Sequence, residues 1–191
     1  MPKLNRHRWV VIGCLACALL MSACAGPWKT APDRLGSTTW TITPPLGWMH
    51  LSMPDAEMLS KNGPYLEYIL IQSRPLATRF RYTDQDLTVD MLPHEAAQLI
   101  IDNLRSDPII RGFRLLTSEP AMVAGRPGFR LTYRYRDKHD VETQTIHYGA
   151  LMDGMYFNMR YTAAGRHYFD QALPVFNHVF ESLRFSSDRA S

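Results

Sequence analysis

Between residues 113 and 161 the chain repeats one pattern: short runs that alternate apolar with polar side chains, interrupted by turn residues. A period of two puts successive side chains on opposite faces of a strand, so this half of the chain must build an antiparallel meander before anything else. Its predicted strands are 113–117, 129–136, 142–151 and 155–161, with turn regions at Gly125-Arg126-Pro127-Gly128 and at 137–140. Asp153-Gly154 suits a two-residue type I′ turn, which pairs Phe157 with Ala150, Met159 with Tyr148 and Tyr161 with Ile146. In the run 129–136, Phe129, Leu131, Tyr133 and Tyr135 alternate with Arg130, Thr132, Arg134 and Arg136. If the sheet has one core side, Leu131 and Tyr133 continue the apolar face of Ile146 and Tyr161. The opposite face then carries Arg130, Arg134, Arg136, Thr145, His147, Asn158 and Arg160. Five of these (Arg130, Arg134, Arg136, His147 and Arg160) form a candidate face for an anionic partner: a lipid phosphate, a glycan acid or an acidic protein surface. The plainer reading of the same residues is a solvated or helix-covered sheet face with cross-strand pairing to Glu142 or Asp140.

The flanking segments supply the rest of the order. Residues 38–43 are β-branched and aromatic up to Pro44-Pro45, and 65–72 are mostly apolar, as in a strand covered on both faces. Residues 76–82 are predicted as a short edge strand. A helix starts at Pro93, where Glu95 complements the dipole and Ala96, Leu99, Ile100 and Leu104 keep helical spacing, and it ends at Asp107-Pro108. Over 167–183, Phe169, Leu173, Phe176, Phe180 and Leu183 form an amphipathic stripe. Pro174 should break that helix and place its main part after the proline. The order β-β-(β)-α-β-β-β-β-α predicts an α+β fold, an antiparallel β-sheet packed with helices, in one domain over 38–186 with a tail at 187–191.

The N-terminus is of another kind. Lys3, Arg6 and Arg8 precede an apolar stretch, 9–21, that is shorter than the roughly 20 residues a spanning helix needs and suits a secretory signal. It leads into Met21-Ser22-Ala23-Cys24, which resembles the lipobox of bacterial lipoproteins except that Met21 stands where Leu is usual. The resemblance implies cleavage of a signal peptide, 1–23, lipidation of Cys24 and anchoring in a membrane through acyl chains. Ala25 is not the aspartate of inner-membrane retention, so the outer membrane is expected, with the domain on the periplasmic side. Residues 24–37 read as a tether. All three cysteines fall at or before position 24, so the domain has no disulfide or free thiol to rely on. The basic balance is also the leader's: without its three basic residues, 18 positive charges face 18 negative ones. No global charge then favours nucleic acid.

Chemistry-bearing motifs are sparse. Met49, His50 and Met53, with Met58 nearby, offer thioethers and an imidazole suited to Cu(I). The histidines after the leader (His50, His94, His139, His147, His167 and His178) stand in no Gly-x-Ser-x-Gly or His-Glu-x-x-His setting. A non-enzymatic protein without a cofactor is therefore expected, a ligand- or metal-binding protein being the alternative and an unrecognised hydrolase a further one. Three phrases resemble the PsbP/DcrB-like fold family: the opening strand 40–43 with Pro44-Pro45-Leu46-Gly47-Trp48, Gly125-Arg126-Pro127-Gly128-Phe129 before a tyrosine-rich strand, and the closing Phe176-x-x-Val179-Phe180-x-Ser182-Leu183-x-Phe185. The resemblance implies an α/β/α sandwich and an accessory protein that binds a larger envelope assembly. It implies no catalytic residue.

Overall fold

The two halves of the meander close at Asp153 and Gly154, whose φ angles of 49° and 72° are those a type I′ turn demands. In the computed structural model, which describes residues 27–186, the strands are β1 (Lys29–Thr30), β2 (Leu35–Gly36), β3 (Trp40–Ile42), β4 (Met49–Met53), β5 (Ala56–Ser60), β6 (Glu67–Pro75), β7 (Arg111–Val123), β8 (Arg126–Arg136), β9 (Glu142–Met152), β10 (Met155–Ala164) and β11 (Arg184–Phe185). The helices are α1 (Pro93–Ser106) and α2 (Gly165–Glu181). An eight-stranded antiparallel sheet runs in the order β1-β4-β5-β6-β10-β9-β8-β7, and a three-stranded sheet in the order β11-β3-β2. Residues 1–26, including the leader and Cys24, and the tail 187–191 lie outside the described residues.

Each face of the large sheet has its own core. Ile69, Ile71, Phe157, Met159 and Tyr161 point to the side shared by α2 and the small sheet, where they meet Trp40, Ile42, Phe169 and Phe176. The Tyr161 and Phe176 rings stack at 5.2 Å, and Tyr148 stacks on Phe180 at 3.9 Å. Leu131, Tyr133 and Phe129 point the other way, under Ala96, Ile100 and Leu104 of α1. Helix α1 starts as expected, with Pro93 in its first turn and the Glu95 carboxylate accepting the Leu92 N–H at 2.8 Å. The α+β fold, an antiparallel sheet with helices on both faces, is the predicted one.

Several local expectations are corrected. The pairing across β9 and β10 is the predicted one: Phe157 with Ala150, Met159 with Tyr148, Tyr161 with Ile146. One strand further, Leu131 pairs with His147 and Tyr133 with Thr145, so they oppose the face of Ile146 and do not continue it. The expectation of one core side failed because both faces are covered, and apolar alternation then carries no information about which face is which. The turn before β8 is Ala124-Gly125, with φ 45° and 82°, and Arg126, Pro127 and Gly128 already belong to the strand. Residues 76–82 form no strand; they open an irregular crossover that buries Leu76 and Leu87 beside α1. The hairpin β4–β5, turning at Pro54-Asp55, was not read from the sequence. Nor is 27–37 a free tether, since β1 and β2 tie it to both sheets.

Helix α2 runs unbroken through Pro174, where a break was expected. One backbone hydrogen bond is forfeited there, but burying Phe169, Phe176 and Val179 on the same side of the helix outweighs it. Pro174→Ala should therefore raise the unfolding free energy by about 1–3 kcal/mol, read from urea midpoints. At Gly149, an added Cβ would sit 2.3 Å from the Phe129 ring. Gly149→Ala should lower stability by about 1–3 kcal/mol in the same measurement, and an unchanged midpoint would mean that the ring is free to move aside.

Candidate functional site

Register places a set of polar residues on the sheet face that α1 covers only in part. Three cross-strand rows run over β6, β10 and β9: Tyr68, Thr162 and Thr145; Leu70, Arg160 and His147; Gln72, Asn158 and Gly149. On β8 the first two rows continue into Tyr133 and Leu131. Helix α1 packs against β7, β8 and β9 and leaves the β4–β6 half of this face to other cover. Near the top of β6 and β10, the Arg74 guanidinium lies 4.2 Å from the Phe80 ring and 5.5 Å from that of Tyr156.

Arg160 is the anomaly of this face. Its Nε is fully buried without a hydrogen-bond partner, while the residue as a whole keeps partial exposure. The largest electrostatic contributions to it come from the phenols of Tyr133, Tyr68, Tyr156 and Tyr135, and the Arg74 guanidinium also lies within its field. A guanidinium does not lose its proton in a protein, so a full positive charge stands here, beside that of Arg74 and facing mainly tyrosines. Such a charge costs several kcal/mol when left uncompensated.

His147 shares the position. It is 3% exposed, and its Nε2 lies 2.9 Å from the Tyr156 hydroxyl, while Nδ1 has no partner. Burial lowers its pKa well below the ordinary histidine value, and Arg160 and Arg74 press in the same direction, so the ring is neutral at pH 7. Burial also raises the phenols of Tyr133 and Tyr156, and brings Tyr135 up to about 12. The site therefore holds the Arg160 cation with Arg74 nearby, one neutral imidazole and un-ionised hydroxyls. That arrangement can bind an anion; it holds no group poised to give or take a proton near neutral pH.

The predicted basic face is divided by the sheet. Arg130, Arg134 and Arg136 pair with Tyr148, Gln144 and Glu142, on the face opposite to Arg160 and His147. All three have partners: Arg130 reaches Glu119 at 3.6 Å, Arg134 donates to Gln144 at 2.8 Å, and Arg136 lies 3.6 Å from Asp140. The five arginine and histidine candidates therefore split, Arg160 with His147 on one face and Arg130, Arg134 and Arg136 on the other. The Cu(I) set is divided in the same way. His50 and Glu57 face each other on the α2 side of β4–β5, whereas Met49, Leu51 and Met53 alternate with His50 and point to the α1 side with Met58. Two thioethers and an imidazole on opposite faces of one strand cannot share an ion. Among the described residues no group of three or more His, Cys, Asp or Glu side chains could hold a metal, and no helix is long and apolar enough to cross a membrane. The sequence reading missed the Met49, Leu51, Met53 and Met58 stripe as a surface. Its signal was the alternation from 49 to 53 followed by Pro54-Asp55.

No family model matches the chain, and no curated protein does. Among solved structures the chain is similar to cyanobacterial PsbP (CyanoP) from Synechocystis sp. PCC 6803, with a TM-score of 0.57 and 14% identity over 85% of this chain and 96% of that one. It is also similar to the Ran-binding protein Mog1p of Saccharomyces cerevisiae, with a TM-score of 0.52 and 8% identity over 82% of this chain and 96% of that one. At these identities the likeness establishes a PsbP-like fold and nothing about shared residues.

The neutral His147 has a consequence for pH. Unfolded, a histidine titrates near 6.5; folded, His147 titrates lower. Between those two values the unfolded chain binds a proton that the native chain does not, so stability falls as the pH drops through that window. His147→Gln should lose less stability than the wild type between pH 7.5 and pH 5.5, compared by urea midpoints. An equal loss would mean that His147 titrates alike in the folded and the unfolded chain.

Proposed function

We propose that this chain is a lipid-anchored, non-enzymatic envelope protein that binds a partner within a larger membrane assembly. The observation that carries the reading is the chemistry of the Arg160 site. The buried imidazole is hydrogen-bonded to a tyrosine and not to an acid, the phenols are un-ionised, and the cation stands without a reactive neighbour. Nucleophilic catalysis requires a nucleophile, a base and an orienting group in mutual contact. The described residues around Arg160 supply a recognition surface in their place.

Fold and leader support the same reading. Mog1p, which shares the architecture, is a Ran-binding protein, so this framework serves protein recognition elsewhere. The lipobox-like Met21-Ser22-Ala23-Cys24 supports an acylated N-terminus at the periplasmic face, and Ala25 supports the outer membrane. Expressed in a bacterial envelope, the wild type should begin at Cys24 with added acyl mass and fractionate with membranes, while Cys24→Ala should not. Intact mass and fractionation decide it. If both forms are cut near Ala23 and released, the anchor is refuted, and in-situ crosslinking should look for a free periplasmic partner.

A further inference from the structure

The sheet row that contains Arg160 extends past the helix-covered half into apolar residues. Leu70 on β6 stands beside Arg160, Met58 on β5 beside Leu70, and Leu51 on β4 beside Met58. Met49 and Met53 flank Leu51 on the same face; Met49 is 36% exposed and Leu51, Met53 and Met58 are partly so. Adjacent strands lie about 4.8 Å apart, so β10 to β4 spans about 14 Å, the scale of a long acyl chain. At one end is a guanidinium whose Nε lacks any partner; at the other is a strip of flexible thioethers and leucine that adapts its shape to an apolar guest.

We propose that this row is a binding site for a single-chain amphiphile with a carboxylate head, a long-chain fatty acid, whose carboxylate caps the exposed part of Arg160 and whose chain crosses the rim of Leu70, 8% exposed, onto the partly exposed Met58 and Leu51. The proposal rests on the binding reading above. One guanidinium offers two parallel N–H donors, which match a carboxylate. The head carries a single charge because Arg74, packed on the Phe80 and Tyr156 rings, has the Asp86 carboxylate in its surroundings and His147 is neutral, which leaves Arg160 as the cation to be matched. A phosphate dianion would leave its second charge without a partner.

The test is photolabelling of the full-length protein in intact bacterial cells with a diazirine-bearing long-chain fatty acid, followed by peptide mapping. Label should fall on peptides covering residues 49–60 and 68–74. Excess oleate should suppress it, and methyl oleate should not. Arg160→Met should cut labelling at least about tenfold, while Arg136→Met, on the opposite face, leaves it unchanged. Thermal melting is the folding control: Arg160→Met should melt no lower than the wild type, because it removes a buried charge without a partner. Arg160→Lys, which keeps the charge but loses the paired donors, should fall between the two. Equal competition by methyl oleate, or undiminished labelling of a folded Arg160→Met, overturns the proposal, and stronger competition by hexadecyl phosphate assigns the site to a phosphate head. Labelling needs only the folded domain, so it remains decisive even if the Cys24 anchor fails.

Discussion

The connection 137–141 is the constraint on which the face of every residue in β8 depends. Asp137 accepts the N–H groups of His139 and Val141 at 2.8 and 2.9 Å, its own N–H reaches the Val141 carbonyl at 3.0 Å, and Asp140 takes a left-handed φ of 65°. These contacts place Arg136 opposite Glu142. A loop one residue longer or shorter would reverse the side to which every β8 residue points. With the loop as it is, Leu131 and Tyr133 lie under α1 beside His147, and Arg130 and Arg134 lie over the α2 side. Two cores can then share one sheet, and the guanidinium of Arg160 lies at the border of one of them.

That border explains why an uncompensated charge survives. In the middle of a fully covered sheet, an arginine without a partner would be removed at little cost to folding, since an apolar side chain of similar volume packs as well or better. Arg160 is instead where helix cover ends, with its Nε buried and part of the side chain exposed. The burial that holds His147 neutral and raises the Tyr133 phenol also lowers the local dielectric, which would strengthen the interaction of an incoming anion. The stability lost to the charge would be recovered if the proposed ligand supplies the missing partner.

Much of the architecture was legible in the sequence because it rests on local rules. Asp153-Gly154 sets a two-residue turn, and from it the β9–β10 register follows by counting. Pro93 and Glu95 mark the start of α1, and the 169–183 stripe marks α2. What was missed depends on non-local facts. Whether Pro174 breaks a helix is settled by how much aromatic surface its two halves bury together. Whether Arg160 shares a face with Arg134 is settled by a loop conformation, because alternation says only that neighbours differ. The β4–β5 hairpin is hard to read because Met49, His50 and Met53 are as apt for soft-metal ligation as for an alternating strand. The same ambiguity covers the apolar strip beside Arg160, and the site is legible only as two of its residues, Arg160 and His147.

The short strand β1 has a bearing on reach. Had residues 24–37 been a loose tether, the domain could have ranged up to about 45 Å from the point of attachment at Cys24. Because Lys29 pairs with His50, the leash under the proposed anchor is five residues, with a span of no more than about 18 Å. The body would ride against the bilayer surface with β1 and β4 nearest to it. Lateral diffusion within the leaflet, rather than swinging across the periplasm, would then bring it to its partners.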